Sequence, residues 1–172
     1  MRFAATALIA FCACISPIPD AEAKEGDFGF SLGTASGYVA GMVPDMPSGG
    51  SFQERNPFLM DLQIDYEILG WLGVGLRNEL GVEKGTTYTL VPNLIFDSNG
   101  DVVTGYGRIG PLINFTPDFY GAAVGGGIII HAHRHFGFYL EASCESMFIG
   151  SGLTGKGAII KGLGYGGLRL NI

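Results

Sequence analysis

Three histidines lie within five residues of the chain, at His131, His133 and His135. Side chains two residues apart share a face in an extended strand, so this spacing could present two imidazoles to a transition metal. The alternative is a polar turn, because Arg134 lies among the histidines and no Cys or carboxylate stands beside them at ligand spacing. A turn would break the shared face. We therefore predict a hairpin turn from His133 to His135, with no metal and no other cofactor.

Acidic and basic side chains recur at alternate positions along several apolar segments. The segment from Phe58 to Ile68 reads FLMDLQIDYEI, and its even-numbered residues are all apolar or aromatic. Asp, Gln, Asp and Glu fill the odd-numbered positions from 61 to 67. A strand of this sequence has one apolar face and one acidic face, because successive side chains point to opposite sides.

Later segments add further charges to the same polar face. The predicted interior charge network consists of Asp61, Asp65, Glu67, Arg77, Glu79, Glu141, Glu145 and Arg169. Arg108 and Lys161 are two further candidate bases. An unpaired charge in a dry interior costs several kcal/mol, so these groups should pair with one another. The acids outnumber the bases, so some carboxylates must face water or carry protons.

Eight segments have the alternation or composition of strands, and no helix of ordinary length can be drawn after residue 24. The predicted strands are Phe28–Val39, Phe58–Ile68, Trp71–Glu83, Thr86–Phe96, Val102–Phe115, Tyr120–Ala132, Phe136–Phe148 and Ala158–Ile172. No helical crossover separates them, which favours an antiparallel meander. Pro92 should cause a bulge or a local break. The inward set should consist of glycine, alanine, serine and threonine with a few charges.

Two connections stand out by composition. Residues 41–57 contain three prolines and three glycines among few apolar residues, and residues 150–157 are rich in glycine. The first is predicted to be a long exposed loop and the second a glycine-rich loop. The connections at Leu69-Gly70, Asp97–Asp101 and His133–His135 are short.

The first 23 residues have the pattern of a secretory signal peptide, with Arg2, an apolar run and Ala21-Glu22-Ala23 as the cleavage site. Residues 24–172 then form a single domain. That domain keeps only Cys144, so it cannot form an intramolecular disulfide. The formal net charge is −6 and no basic cluster is present, which excludes nucleic acid as a partner.

Alternating strands behind a secretion signal, joined by both long and short connections, resemble the small eight-stranded outer-membrane β-barrels, the group of the OmpA transmembrane domain, OmpX and OmpW. The resemblance implies an all-β, eight-stranded antiparallel up-and-down transmembrane β-barrel in the outer membrane of a Gram-negative bacterium. The inside of such a barrel would be plugged by polar groups, and its role would be structural or in surface interaction, without catalysis. Leu168 and Leu170 alternate toward the end of the chain as in that group, but Ile172 stands where a final aromatic is usual.

The same resemblance implies the partners. These are outer-membrane lipid and lipopolysaccharide, the barrel-assembly machinery that reads the last strand, and an extracellular ligand at loops 41–57 and 150–157. Aromatic side chains would form belts at the two membrane interfaces. The candidates are Trp71 and the tyrosines at 66, 88, 106, 120, 139 and 165, of which Tyr139 and Tyr165 are expected to be ordinary barrel fillers.

Two other hypotheses about the function of the chain remain open at this point. Some barrels of this size are lipid A-modifying enzymes with a His-x-Ser pair and a Glu, for which the chain offers His131, Ser143 and Glu141 but no H-x-S sequence. The other hypothesis is a soluble lipocalin-like ligand carrier. Its G-x-W signature is absent, since Gly70 directly precedes Trp71. Such a carrier would be apolar inside and polar outside.

Overall fold

The computed structural model describes residues 26–42, 51–83, 87–98, 100–133, 135–150, 153 and 157–172. The strands are β1 (Phe28–Met42), β2 (Ser51–Leu69), β3 (Leu72–Gly81), β4 (Thr87–Asp97), β5 (Val103–Phe115), β6 (Asp118–His133), β7 (Phe136–Gly150) and β8 (Ala158–Asn171). Within these described residues there is no helix long and apolar enough to cross a bilayer.

The eight strands close into a single barrel in which each strand pairs with its neighbours in chain order. All pairs are antiparallel, and β1 closes the ring by pairing with β8 from Gly29↔Asn171 to Met42↔Ala158. This confirms the predicted up-and-down topology. We call the end that carries Phe28, Ile172 and the turn at Gly70-Trp71 the terminal rim. The other end, reached by residues 42, 51 and 158, is the opposite rim.

The first hairpin is longer than its sequence predicts. Residues 41–42 and 51–57 belong to β1 and β2, where Gly41 pairs with Phe52 and Tyr38 with Arg55. The prediction of a loop over the whole of 41–57 is therefore wrong, and residues 43–50 lie outside the described part of the chain. The composition predicts a loop instead of a strand because this end of β2 is polar and contains a proline. A strand beyond the apolar band needs no apolar face, so its composition resembles that of a loop.

The second predicted loop, 150–157, is only partly described. Gly150 is the last residue of β7, and both Leu153 and Gly157 are buried. Residues 151, 152 and 154–156 lie outside the described part of the chain.

Pro92 interrupts one ladder, as predicted. The pairing of β4 with β5 skips from Leu90↔Ile113 to Leu94↔Ile109 without a change of register. That register places Pro92 opposite Pro111. Neither proline has an N–H group to donate, so the ladder loses bonds there without a bulge.

The barrel has an apolar outside and a charged inside. The outward side chains of Leu140, Ile64 and Val74 are 56%, 44% and 38% exposed, whereas the carboxylates of Asp65 and Glu141 are buried. Soluble ligand-carrying barrels are apolar inside and polar outside. This observation therefore contradicts the hypothesis of a soluble lipocalin-like carrier. The structure thus confirms the sidedness that the alternating pattern predicts.

A charged barrel interior as the candidate functional site

Strand alternation brings the charged residues inside, and inward glycines give them room. A Cβ atom at Gly33 would collide with the hydroxyl of Tyr139 and with the carbonyl of Gly166. A Cβ atom at Gly29 would overlap the guanidinium of Arg169. Glycine therefore permits long side chains from β7 and β8 to reach across the barrel toward β1 and β2.

Glu141 lies at the centre of the interior network. Arg77 places Nη2 2.5 Å from Oε1 of Glu141, and Nε of Arg108 lies 3.1 Å from Oε2. Tyr106 donates a hydrogen bond of 2.7 Å to the same Oε2. One carboxylate thus contacts two guanidinium groups and a phenol, in a part of the barrel where all of these side chains are buried. Charge-assisted contacts of this kind are the strongest hydrogen bonds that proteins make.

Asp61 is the second anchor for Arg77. Its Oδ1 lies 3.5 Å from Nε of Arg77, and its Oδ2 accepts hydrogen bonds from Tyr139 at 2.6 Å and from Gln63 at 2.5 Å. Arg77 is only 1% exposed and Asp61 is fully buried. Arg77 therefore joins β2, its own strand β3 and β7 through a single guanidinium group.

A second cluster lies toward the opposite rim. The hydroxyl of Tyr165 donates to Glu79 over 2.6 Å and lies 3.1 Å from Oε1 of Glu145. Lys161 places Nζ 3.3 Å from the other oxygen of Glu145. The guanidinium of Arg77 stacks on the ring of Tyr165, with Cζ 4.1 Å from the centroid, and this contact links the two clusters.

A third ion pair lies toward the terminal rim. Arg169 places Nη1 2.6 Å from Oδ2 of Asp65 and donates from Nε to the side chain of Asn171 over 2.9 Å. Glu67 lies on the same inward face as Asp65, two residues nearer the rim, and is half-buried. All eight residues of the predicted network thus face the barrel interior, and they are spread from the terminal rim to beyond the middle.

The interior also holds more apolar side chains than expected. A buried cluster occupies the part of the barrel near the opposite rim. It consists of Val91, Leu112, Ala123, Met147, Leu153 and Ile159, with Val39, Phe52 and Phe119 packed against it. The expectation that glycine, alanine, serine and threonine supply the neutral inward set is wrong here. A closed barrel has to fill its interior volume, and side chains that meet no water can be apolar.

Little space is left inside. A cavity of about 10 Å³ lies beside Arg108, Asn93 and Ser143, which is room for about one water molecule. The charged clusters and the apolar cluster together fill much of the described interior.

Sequence reasoning missed three members of the network, the hydroxyls of Tyr106, Tyr139 and Tyr165. Tyr106 was expected in an interfacial belt, but its side chain is 7% exposed and points inward, so that expectation is wrong. Tyr139 and Tyr165 fill the barrel as predicted, and they also bond carboxylates. The signal was present in the sequence, because Tyr139 alternates in step with Glu141 and Glu145.

The remaining candidate residues do not assemble into an active site. Ser143 donates over 3.4 Å to Tyr165, and Glu141 is occupied by its arginines. His131 pairs in register with Gly137 and its Nε2 lies 2.9 Å from Oγ1 of Thr104. Six residues along β7 separate Gly137 from Ser143, about 20 Å at the usual rise of a strand. His131 is therefore far from the serine that it would have to activate.

The other histidines lie at the terminal rim. His133 is an exposed residue at the end of β6, and its ring centroid is 6.0 Å from that of His135. His135 lies in the turn, where its Nδ1 is 3.1 Å from the backbone oxygen of Asn171. Among the residues that the structure describes, no three His, Cys, Asp or Glu side chains converge as a metal site.

Two belts of exposed aromatic side chains surround the outside of the barrel. The belt at the terminal rim includes Phe28, Tyr66, Trp71, Phe96 and Phe138. The belt toward the opposite rim includes Tyr38, Tyr88, Phe115, Tyr120 and Phe148.

The spacing of the belts matches a membrane. Ten residues separate Phe28 from Tyr38 on β1 and Phe138 from Phe148 on β7. At about 3.3 Å per residue and a tilt of about 40°, ten residues rise about 25 Å, the height of the apolar band of outer-membrane barrels. Trp71, Tyr66, Tyr88 and Tyr120 therefore have the outward positions expected of interfacial aromatics.

Comparison with solved structures identifies the same fold. The outer membrane protein OprG from Pseudomonas aeruginosa superposes with a TM-score of 0.56 at 16% identity, over 87% of this chain and 97% of OprG. Ail, the attachment invasion locus protein of Yersinia pestis, gives 0.55 at 17% identity, over 86% of this chain and 99% of Ail. The N-terminal β-barrel domain of Pseudomonas aeruginosa OprF gives 0.55 at 13% identity, over 88% of this chain and 100% of that domain. No protein-family model and no curated protein sequence matches the chain.

Proposed function

The chain has the fold of the small eight-stranded transmembrane β-barrels, and from this premise we propose that it is a bacterial outer-membrane protein with a closed interior. Its role in this proposal is structural or in surface interaction, and it neither catalyses a reaction nor conducts solutes freely. The observation that carries the proposal is the combination of an apolar, belted outside with buried ion pairs inside. In hydrocarbon, every backbone polar group has to be paired, and a closed barrel achieves this without a free edge.

The proposed orientation puts the terminal rim in the periplasm. Both ends of the described barrel and the connections at 70–71, 98–102 and 134–135 lie at that rim. The long first hairpin extends from the opposite rim, which also carries a short connection, at 116–117. Short periplasmic turns and longer extracellular connections are typical of outer-membrane barrels. Residues 1–23 would then direct export and be removed, and the last strand, with Ile172 at its end, would be read by the assembly machinery.

The first hairpin is the best candidate for contact with an extracellular ligand. Residues 51–54 of β2 lie beyond the aromatic belt, and Arg55 pairs in register with the belt residue Tyr38. Gln53, Glu54 and Arg55 are exposed. Arg55 forms a loose ion pair with Glu83 at 3.8 Å, with the two side chains 64% and 44% exposed. Ail is named as an attachment and invasion protein, which supports a surface-interaction role for a barrel of this shape.

Two measurements on purified protein test the membrane and plug parts of the proposal. We expect heat-modifiable migration on gels, because a folded barrel runs differently before and after boiling. In planar bilayers we expect no steady conductance, with a general porin as the positive control. Large, steady conductance would refute the closed interior but not the barrel.

A third measurement tests the surface role. Replacing Gln53, Glu54 and Arg55 together by alanine should reduce attachment of expressing cells to host cells or matrix at least several-fold. The matched control is alanine at Asp101, an exposed polar residue at the terminal rim. Heat-modifiability of both variants checks that the barrels are folded. Unchanged attachment by the triple variant would refute the assignment of this hairpin.

A further inference from the structure

The dry part of the barrel carries one more acid than base. Five carboxyl groups there are at most 5% exposed, and one of them, that of Asp65, is paired with Arg169. The other four are those of Asp61, Glu79, Glu141 and Glu145. Within the described part of the chain, three cations face these four groups. Arg77 and Arg108 are at most 5% exposed, and the side chain of Lys161 is 14% exposed. If every group were ionised, the interior would hold one uncompensated negative charge, which is costly away from water.

The contacts of the Tyr165 hydroxyl indicate where the additional carboxyl group lies. Tyr165 Oη has two carboxylate oxygens close to it, at 2.6 Å on Glu79 and at 3.1 Å on Glu145. A phenol has only one hydrogen to give, so Tyr165 can satisfy only one of these two carboxylate oxygens fully. Ser143 donates to Tyr165 over 3.4 Å and does not supply a second hydrogen to either carboxylate. A proton on one of the two carboxyl groups would supply it.

The surrounding groups leave this position without another cation. From β3, Arg77 stacks on the ring of Tyr165 but directs its ion pairs to Glu141 and Asp61. From β8, Lys161 contacts the far oxygen of Glu145.

Arg108 of β5 is paired with Glu141, and the described residues of the other strands add no further positive charge here. On β2, Asp61 lies directly opposite Glu79 in register. Thr89 of β4, Ala123 of β6 and Ala35 of β1 are the neutral register partners of Glu79, Glu145 and Tyr165.

We propose that Glu79, Tyr165 and Glu145 form a proton-binding site, in which the two carboxyl groups share one proton through the tyrosine hydroxyl. When the acid proton is on Glu145, Tyr165 donates to Glu79. When it is on Glu79, the donation runs the other way. No bond other than O–H changes, and the dry interior becomes neutral, with three cations and three carboxylates besides the pair of Asp65 and Arg169.

Infrared spectroscopy of the folded, full-length mature barrel in D2O tests the proposal. At neutral pH we expect the carbonyl stretch of one protonated carboxyl group in the wild type. Glu79→Gln and Glu145→Gln should each abolish that band, because either change removes one acid and leaves the interior neutral. The control is Glu67→Gln, a half-buried acid near the terminal rim, which should retain the band.

The pH dependence of stability is a second test of the proposal, for use if one of the variants folds poorly. Because the folded wild type holds one more proton than the unfolded chain at neutral pH, its stability should fall as the pH rises into the alkaline range. Either glutamine variant should flatten that dependence, and Glu67→Gln should not.

Three results would overturn the proposal. One is a wild-type spectrum without an acid band. Another is a band that persists in both glutamine variants, which would place the proton elsewhere. The third is stability that depends on sodium or potassium concentration in the absence of an acid band, which would put a monovalent cation at this position instead.

Discussion

Replacing Arg77 by methionine tests whether the interior network holds the barrel together. Methionine keeps much of the length and volume but removes the charge. Asp61 would keep its hydrogen bonds from Tyr139 and Gln63, and Glu141 would keep Arg108, yet Asp61 would lose the guanidinium that neutralises it. Removing one partner of a buried ion pair costs about 3–5 kcal/mol. The equilibrium constant for unfolding should therefore rise by about two to three and a half orders of magnitude.

The chain contains a matched control for this experiment. Arg55 is also an arginine on a strand facing a glutamate, but its ion pair with Glu83 is exposed and 3.8 Å long. Arg55→Met should cost at most about 1 kcal/mol, as exposed ion pairs generally do. Both variants are compared by urea unfolding in lipid vesicles, with gel mobility reporting the folded fraction.

A double variant separates charge from packing. Asp61→Asn in the Arg77→Met background removes the uncompensated carboxylate, so the double variant should be more stable than the sum of the single effects by about 1–3 kcal/mol. Equal losses for Arg77→Met and Arg55→Met, or additive effects in the double variant, would refute the view that buried charge pairing stabilises this barrel.

Three further substitutions, one of them with a control variant, test other parts of the structure by the same unfolding assay or by assembly. Ala142→Arg puts a charge on the outer face of β7 near mid-height and should cost about 2–4 kcal/mol in lipid, whereas a near-neutral result would contradict a lipid-facing position. Gly33→Ala collides with the hydroxyl of Tyr139 and should cost about 1–3 kcal/mol. Gly162→Ala meets nothing within 4 Å and should stay within about 0.5 kcal/mol, so equal effects of the two alanines would refute the close approach. Ile172→Phe restores the usual aromatic end and should raise the yield of folded barrel in cells, while an unchanged yield would remove the last residue from the assembly signal.

The strands and their faces were predictable because membrane barrels impose a strict two-residue period. In the segment from Phe58 to Ile68 only one face tolerates charge, so the pattern gives both the strand and its orientation. This two-residue alternation can be recognised in each strand by itself, without knowing which strands are its neighbours in the barrel.

The contacts inside the barrel were not predictable in this way. Whether Tyr165 reaches Glu79 depends on which strands lie across the interior and on room left by glycines such as Gly33. The extent of the first hairpin was also hidden, because residues 51–55 pair with β1 at or beyond the aromatic belt and carry no apolar alternation.

The direct test of the central account is the environment of Cys144, an exposed residue near the middle of the outer face of β7. In the chain without residues 1–23 it is the only cysteine, so a spin label can be attached without other substitutions. In lipid nanodiscs, the account predicts frequent collisions of the label with oxygen dissolved in the bilayer and few with a water-soluble nickel complex. The reverse ratio would mean that the outer face meets water, and it would contradict a membrane-spanning barrel.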